Sequence, residues 1–179
     1  IRFYTGVLVG ALNRRGADIS EQDAACIVAA SSLHDIGKVG ISDPVLHCTG
    51  AFDSDQRLQM QRHPLVGADI LLSLSEHLGR DPWIDTAIKV TIGHHERWDG
   101  SGYPFGLRGS LITLPARIVA LADVYDALTT RRPYKAAMSH EAAAAIIERA
   151  GGTQFDPEVV AAFVDADEAF ARVARRLRD

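Results

Sequence analysis

Apolar residues recur along this chain at spacings of three and four, with polar residues between them. This spacing places the apolar side chains on one face of a helix. No segment alternates apolar and polar residues with a period of two, as a half-buried strand would. The pattern therefore predicts an all-α fold, a bundle of roughly seven helices with its functional site in the core between facing helices.

Start and stop signals divide the pattern into helices. The first covers residues 1–14, and the second opens after Ser20, with Asp23 as the other half of a capping box, and stops near Gly37. Caps or first-turn prolines mark the later helix starts, at His63, Asp81, Pro115, Ser139 and Asp156. A glycine-rich loop is predicted over residues 99–114, and residues 40–53 are also predicted to be loop.

Composition narrows the class of protein. The chain has 179 residues, is 47% hydrophobic and 23% charged, and carries a net charge of −4. These values are typical of one globular domain with a real core. A protein that wraps a polynucleotide backbone is usually basic, so a long nucleic acid is not an expected partner. A small anionic ligand needs only a local cluster of Lys and Arg.

The cysteines and the apolar runs bear on location. Cys26 and Cys48 lie far apart and match no metal-binding motif, so they are predicted to be reduced thiols. There is no run of 18 apolar residues and no signal peptide, and a cytoplasmic location is expected. The chain opens in helical pattern without a start Met or a cap, as a fragment of a longer protein would.

Seven histidines fall into two groups. Four lie at predicted helix ends or beside sharp breaks in the pattern, and these are His34, His63, His94 and His95. Three lie in polar surroundings and are expected to have ordinary surface roles, and these are His47, His77 and His140. The first group supplies candidates for a site.

Two carboxylates accompany these histidines. Asp35 follows His34 at a helix end, and Asp123 lies in the apolar helix pattern "IVALADVYDAL". A buried carboxylate is costly unless it is hydrogen-bonded, paired or bound to a cation, so a buried hydrogen-bonded Asp123 and a helix-end His34–Asp35 pair are the alternatives. Imidazoles and carboxylates without thiolates suit Fe, Mn, Ni or Zn. A carboxylate that bridges two such cations gives a centre able to activate water against a phosphoryl group.

The adjacent pair His94–His95 sets a geometric condition. The expected helix runs to Trp98, and neighbouring residues on a helix point about 100° apart. Both imidazoles can face one cation only if the helix end is adjacent to the site. The break at Gly100 agrees with that condition.

Together these residues resemble a known family. The motifs occur in the family's order, and they are "HDIGK" at 34–38, "HP" at 63–64, "HHERWDGSGYP" at 94–104, "ADVYDALTTRRPYK" at 122–135 and "FDP" at 155–157. They are similar to those of HD-GYP domains, a subgroup of the HD superfamily of metal-dependent phosphohydrolases. The domain is assigned to residues 1–164, and 165–179 form an amphipathic helical tail that offers a face for a homodimer.

The resemblance implies an activity and a metal centre. Active members hydrolyse the bacterial second messenger cyclic di-GMP to linear pGpG or GMP. Two divalent transition-metal ions are implied, with Fe as the first candidate and Mn or Ni as alternatives. The implied ligands are His34, Asp35, His63, His94, His95 and Asp123. Asp35 would bridge the cations and act in catalysis, Asp123 would close the first site, and the other three histidines would hold the second cation.

The resemblance also implies substrate contacts. Lys38 would lie at the scissile phosphate in a catalytic role, and Arg132 and Lys135 would contact phosphates. Solvated surface cations are the alternative for all three. The loop around Tyr103 would contact substrate and dock diguanylate cyclase domains of the GGDEF type. A plain solvent-exposed connector is the alternative for that loop.

The chain departs from the family pattern in two places. Trinuclear members add a Glu and a His about 30 residues before the HD pair, and the His would fall ahead of residue 1, so a binuclear site is predicted. The loop after the HD motif reads "HCTG" at residues 47–50, where the family has a basic residue.

These departures leave two alternatives to a cyclic di-GMP phosphodiesterase. One is a catalytically weak cyclic di-GMP receptor, or a docking module that acts through the loop around Tyr103. The other is a phosphohydrolase for a related substrate such as cyclic GMP-AMP.

Overall fold

The computed structural model describes residues 1–131 and 136–177. Within this part of the chain the regular structure is helical, with two isolated β-bridges, which confirms the predicted all-α fold. The helices are α1 (Arg2–Arg14), α2 (Glu21–Ala30), α3 (Asp43–Leu46), α4 (Ser54–Met60), α5 (His63–Leu78), α6 (Pro82–Gly93), α7 (Leu114–Thr129), α8 (His140–Arg149), α9 (Pro157–Asp165) and α10 (Asp167–Arg176). Short 3-10 helices lie at Ser31–Leu33, Ile36–Gly40 and Gly109–Leu111.

The number of helices exceeds the roughly seven that the sequence predicts. The additional ones include α3 and α4, which are short, and α3 falls inside the segment 40–53 that was predicted to be loop. The prediction missed α3 because a helix of four residues has too few positions to show a period.

Helix starts follow the predicted caps. A side-chain oxygen accepts a backbone N–H of the first turn at Ser20, Asp81, Ser139 and Asp156. Each bond satisfies one of the N–H groups that a helix start leaves without a partner. At Ser20 the hydroxyl also donates to the carboxylate of Asp23 at 2.7 Å, so this pair joins side chain to side chain as well as side chain to backbone.

Aromatic rings form the larger hydrophobic core. Phe170 of α10 is fully buried, stacked on Tyr4 of α1 with ring centroids 5.2 Å apart and edge-on to Tyr125 of α7 at 4.8 Å. Phe163 of α9 packs edge-on against Phe170, with ring centroids 4.7 Å apart. The apolar face of the C-terminal helix therefore packs inside this chain.

His140 of α8 connects its helix to α7 and α10, whereas an ordinary surface role was predicted for it. Its Nδ1 forms a hydrogen bond with the hydroxyl of Tyr125 at 2.8 Å, and its Nε2 lies 2.8 Å from a carboxylate oxygen of Asp167. The side chain is only 13% exposed. The sequence did not reveal this position because the partners lie 15 and 27 residues away.

A glycine contact positions the segment that carries the HD motif. A Cβ atom on Gly37 would lie 1.9 Å from the carbonyl oxygen of His63 and 2.4 Å from the backbone nitrogen of Gly67. The 3-10 helix after Asp35 therefore lies directly against the first turns of α5. This contact brings the HD motif next to His63.

We expect Gly37→Ala to lower the free energy of unfolding by about 2–4 kcal/mol, because backbone atoms on both sides cannot yield to a methyl group. Urea denaturation followed by circular dichroism measures the loss. Gly50→Ala is the matched control, since no atom lies within 4 Å of a Cβ at that position. Equal stability of the two variants would contradict the close packing of this segment on α5.

Candidate metal centre

Four segments bring the candidate ligands together. His34 and Asp35 lie between the 3-10 helices that follow α2, where the α-helix tightens and ends. His63 is the first residue of α5, and Asp123 lies in the middle of α7. The fourth segment is the turn that follows α6. Among these, only Asp123 lies inside a long helix, while the other ligands lie at helix ends.

The end of α6 differs from the expectation. The helix stops at Gly93 instead of continuing to Trp98, and His94 and His95 lie in the turn that follows. A Cβ on Gly93 would lie 2.8 Å from that of Ala116, so α6 approaches α7 closely at this point. At this helix end the two imidazoles lie side by side, with ring centroids 4.0 Å apart and planes 41° apart.

The Asp35 carboxylate lies at the centre of the group. Its Oδ1 is 3.3 Å from Nε2 of His63 and 3.9 Å from Nε2 of His94. Its Oδ2 is 3.3 Å from Nε2 of His34 and 2.6 Å from Nζ of Lys38. The two oxygens of one carboxylate thus face two different sets of ligand atoms.

One set is compact enough for a single cation. Ligand atoms of Asp35, His63, His94 and His95 all lie within 4.8 Å of one another. Nitrogen and oxygen ligands bind such cations at roughly 2.0–2.2 Å, which places them about 3–4 Å from each other. The spacing in the group therefore needs only a small contraction around a cation.

The other set joins His34 to both carboxylates. Nε2 of His34 lies 3.5 Å from Oδ1 of Asp123 as well as close to Asp35. Three ligand atoms from His34, Asp35 and Asp123 could hold a second cation. Asp35 is the member that both sets share.

Backbone carbonyls orient three of the imidazoles. The Nδ1 atoms of three histidines each lie against a carbonyl oxygen, at 2.8 Å for His34 and Ser31, 2.7 Å for His63 and Met60, and 2.9 Å for His94 and Thr91. With Nδ1 held by a carbonyl, Nε2 is the ring nitrogen that faces the cluster, as in metal-ligating histidines.

Two of these Nε2 atoms lack a hydrogen-bond partner among the described residues. In the part of the chain that the structure describes, Nε2 of His63 and of His94 are buried and have no hydrogen-bond partner. A buried polar atom without a partner costs free energy, about 1–3 kcal/mol each. A cation bound at these lone pairs would remove that cost.

Charge is unevenly distributed across the centre. Burial opposes charge on His34, but hydrogen bonds to Asp123 and Asp35 outweigh burial and raise the pKa of His34 to about 9. Burial likewise opposes charge on Asp35, yet His34 and Lys38 hold the pKa of that carboxyl well below its usual range. Burial would raise the pKa of Asp123, but the hydrogen bond to His34 and its positive charge outweigh burial and lower that pKa. This side of the centre holds two carboxylates and favours a positive charge between them.

The other side of the centre holds neutral imidazoles. Burial lowers the pKa of His63, and burial with the neighbouring His95 lowers the pKa of His94. Burial and the neighbouring His63 lower the pKa of His95 to about 3. Near neutral pH these rings offer lone pairs, which is the form that binds a metal.

The loop after the two histidines folds back onto them. The ring of Tyr103 stacks on that of His95, with centroids 4.7 Å apart and planes 24° apart. The carboxylate of Glu96 accepts the backbone N–H groups of Phe105 at 2.8 Å and Leu107 at 3.0 Å. No role was predicted for Glu96 from the sequence, although an acid directly after two candidate ligands was a usable signal.

The other predicted site residues divide into two groups. Lys38 contacts Asp35 and its side chain is 40% exposed, so it lies at the rim of the centre. Tyr103 is half-buried against His95. Arg132 and Lys135 lie outside the described residues. A cavity of 290 Å³ opens beside the cluster between the loop and α7, with His95, Tyr103 and Asp123 in its wall.

Comparison with known proteins identifies the family. A family model described as HD domain matches residues 11–159. The chain belongs to the HD domain family. HD domain phosphohydrolases use divalent metals, in agreement with the His/Asp cluster in this HD domain.

Relatives narrow the group. This HD domain is 45% identical over 150 residues to a protein of Vibrio cholerae named cyclic di-GMP phosphodiesterase, a match that covers 84% of this chain and 30% of that protein. It is 36% identical over 161 residues to 3'3'-cGAMP-specific phosphodiesterase 2 of the same organism, covering 90% of this chain and 30% of the relative. The chain thus spans about a third of the length of these relatives. The identification as an HD-GYP domain is confirmed.

A solved structure supports the fold. The crystal structure of a cyclic GMP-AMP specific phosphodiesterase of V. cholerae, V-cGAP3, superposes with a TM-score of 0.63 at 19% identity. The match covers 99% of this chain and 48% of the other. The helical arrangement of this HD domain is therefore one that a member of known structure also adopts.

We expect Mn(II) to raise the melting temperature of this HD domain, and His63→Ala to weaken Mn(II) affinity by roughly 100-fold or more, because a ligand to the compact set is removed. Isothermal titration calorimetry and thermal unfolding measure the two effects.

His77→Ala is the matched control for this change. His77 also hydrogen-bonds a carbonyl through Nδ1, that of Ser73, but lies exposed and outside the cluster. Equal Mn(II) affinity of the two variants would contradict a cation at His63.

Proposed function

We propose that this HD domain is a metal-dependent phosphodiesterase that hydrolyses cyclic di-GMP to linear pGpG, GMP or both, in bacterial second-messenger signalling. The observation that carries the proposal is the Asp35 carboxylate, whose two oxygens face two separate sets of ligand atoms. The relative named cyclic di-GMP phosphodiesterase supports the choice of substrate.

Two divalent cations fit this arrangement. His34, Asp35 and Asp123 would hold the first, and Asp35 with His63, His94 and His95 would hold the second. When bound, the cations supply an activated water and neutralise charge on the phosphoryl group. The resemblance to HD-GYP domains makes iron the first candidate, with manganese and nickel as alternatives, and donors that are imidazoles and carboxylates without thiolates suit all three.

The protein's own groups bind and orient the phosphate. Asp35 fixes the relative position of the two cation sites, because one rigid carboxylate belongs to both. The ammonium of Lys38 lies beside Asp35 and reaches solvent, so a phosphate seated at the cluster would meet this positive charge. Arg132 and Lys135 are proposed to contact the phosphates of the substrate, and Tyr103 is proposed to contact the substrate from the loop.

A second candidate substrate has specific support. The relative of V. cholerae that is 36% identical is named for 3'3'-cGAMP, which differs from cyclic di-GMP in one base. The metal centre acts on the phosphate that both substrates share, so it does not distinguish them. The choice between them therefore depends on groups that contact the bases.

The loop around Tyr103 also has a feature suited to binding a partner protein. Phe105 is 59% exposed at the loop tip, beside the Tyr103–Pro104 pair. An exposed aromatic ring on a loop held firmly at its base suits a docking surface for a GGDEF domain. A homodimer and the division at residue 164 stay predictions from the sequence.

Location also stays a prediction. Among the described residues, no helix combines the length and the apolar character that crossing a membrane requires. The cytoplasmic location expected from the sequence would place the domain with its proposed substrate.

Loaded anaerobically with Fe(II) or Mn(II), the protein should convert cyclic di-GMP to pGpG or GMP, as separated by liquid chromatography. Asp35→Ala should lower turnover by roughly 10³-fold or more and release the metal, because both cation sites lose the shared ligand. Asp55→Ala, which removes an exposed acid on α4, is the control and should retain both properties.

Metal bound with cyclic di-GMP intact would contradict a hydrolase. Calorimetric binding of intact cyclic di-GMP would then support the receptor alternative.

We expect kcat/KM for cyclic di-GMP to exceed that for 3'3'-cGAMP by about tenfold or more, because the relative named for cyclic di-GMP is 45% identical and the relative named for 3'3'-cGAMP is 36% identical. A site that pairs with both bases of one substrate leaves groups unpaired against the other. Parallel rate measurements with the same metal-loaded protein decide this. A ratio in the opposite direction would assign the domain to cyclic GMP-AMP while leaving the metal centre unaffected.

A further inference from the structure

The four candidate histidines are not oriented in the same way. Backbone carbonyls hold the Nδ1 atoms of His34, His63 and His94. Among the described residues, no group forms a hydrogen bond to the ring of His95. Ring contacts hold it instead: His94 and His63 lie on the side of the cluster, at centroid distances of 4.0 and 5.0 Å, and the ring of Tyr103 stacks on it from the loop at 4.7 Å. The backbone N–H of Tyr103 also donates to the carbonyl of His95 at 3.2 Å.

Tyr103 is itself held by the loop, and Glu96 holds the loop. Glu96 is 3% exposed, and its two carboxylate oxygens accept the backbone N–H groups of Phe105 and Leu107 at 2.8 and 3.0 Å. These bonds fix the backbone two and four residues beyond Tyr103. They also satisfy a carboxylate that would be costly to bury alone.

The loop backbone packs closely against the turn that carries the histidines. A Cβ on Gly102 would lie 2.4 Å from the backbone nitrogen of Arg97 and 2.6 Å from the carbonyl oxygen of His95. The loop backbone therefore lies directly on the turn that carries His95. The loop is therefore held before Tyr103 by the contact at Gly102 and after Tyr103 by the hydrogen bonds of Glu96.

We propose that Glu96 is a positioning residue of the metal centre, which holds Tyr103 against His95 and so replaces the hydrogen bond that orients each of the other three imidazoles. The inference rests on the proposed function, since it assumes that His95 binds a cation. Outer partners of metal-ligating histidines set ring orientation and affinity. Here that role is filled by an aromatic ring and by the carboxylate that holds its loop.

Two single variants, their combination and one control test this proposal. Glu96→Gln keeps the shape of the side chain but turns an NH₂ donor towards one of the two N–H groups, so one bond is lost and two donors face each other. Tyr103→Ala removes the ring and leaves Glu96 in place. Asp99→Asn is the matched control, a carboxylate in the same loop that accepts from Ser101 and Arg97 instead.

The readouts need no substrate. Mn(II) affinity is measured by calorimetry, and hydrogen exchange is measured at the amides of Phe105 and Leu107, with urea unfolding to verify that each variant is folded. Glu96→Gln should speed exchange at these two amides about tenfold and weaken Mn(II) affinity roughly 10- to 100-fold. Tyr103→Ala should weaken Mn(II) affinity similarly, and the double variant should lose little more, because both act through His95.

Three results would overturn the proposal. Faster exchange with unchanged Mn(II) affinity would make Glu96 a loop anchor alone. An equal loss of affinity in Asp99→Asn would assign the effect to general loosening of the loop. Absence of Mn(II) binding by the unaltered protein would refute the proposed centre itself, and this failure is distinguishable because it appears before any substitution is made.

Discussion

One half-buried carboxylate determines the arrangement of this site. Asp35 places each of its oxygens against a different group of ligand atoms, and these groups come from segments far apart in the chain. A carboxylate in such surroundings is stable only beside positive charge or strong donors, which His34 and Lys38 supply here. The neutral imidazoles on its other side lie where burial suppresses their charge. The two halves of the centre therefore differ in charge, while a single residue joins them.

Close backbone contacts give this carboxylate fixed neighbours. The segment after Asp35 lies on α5 without room for a Cβ at Gly37, and Gly93 lets α6 end against α7. A metal site needs its ligand atoms placed within a fraction of an ångström, and packed backbone provides that more reliably than long side chains do. The loop that returns over His95 is held by the same means, through Gly102 and the buried carboxylate of Glu96.

The larger core stands beside the site and shares α7 with it. Asp123 faces the metal centre, while Tyr125, two residues later, is fully buried among aromatic rings of α1 and α10. Residues two apart on a helix point in nearly opposite directions, so one helix can serve both. His140 extends this core by joining Tyr125 to Asp167 at the start of α10. The position of Asp123 thus depends on packing that involves the C-terminal helix.

The sequence by itself determined the helical class, most helix starts and the identities of the candidate ligands, because period, caps and motif spacing are local properties. Tertiary structure decided the rest. It ended α6 at Gly93 rather than Trp98, and it divided the oxygens of Asp35 between two sets of ligands. It also supplied the carbonyls that orient three imidazoles, and it gave Glu96 its partners in the loop. These features depend on close packing between segments that are remote in the chain, and on the direction in which backbone N–H and C=O groups point at a turn. A local pattern of residue types encodes neither the packing nor these directions.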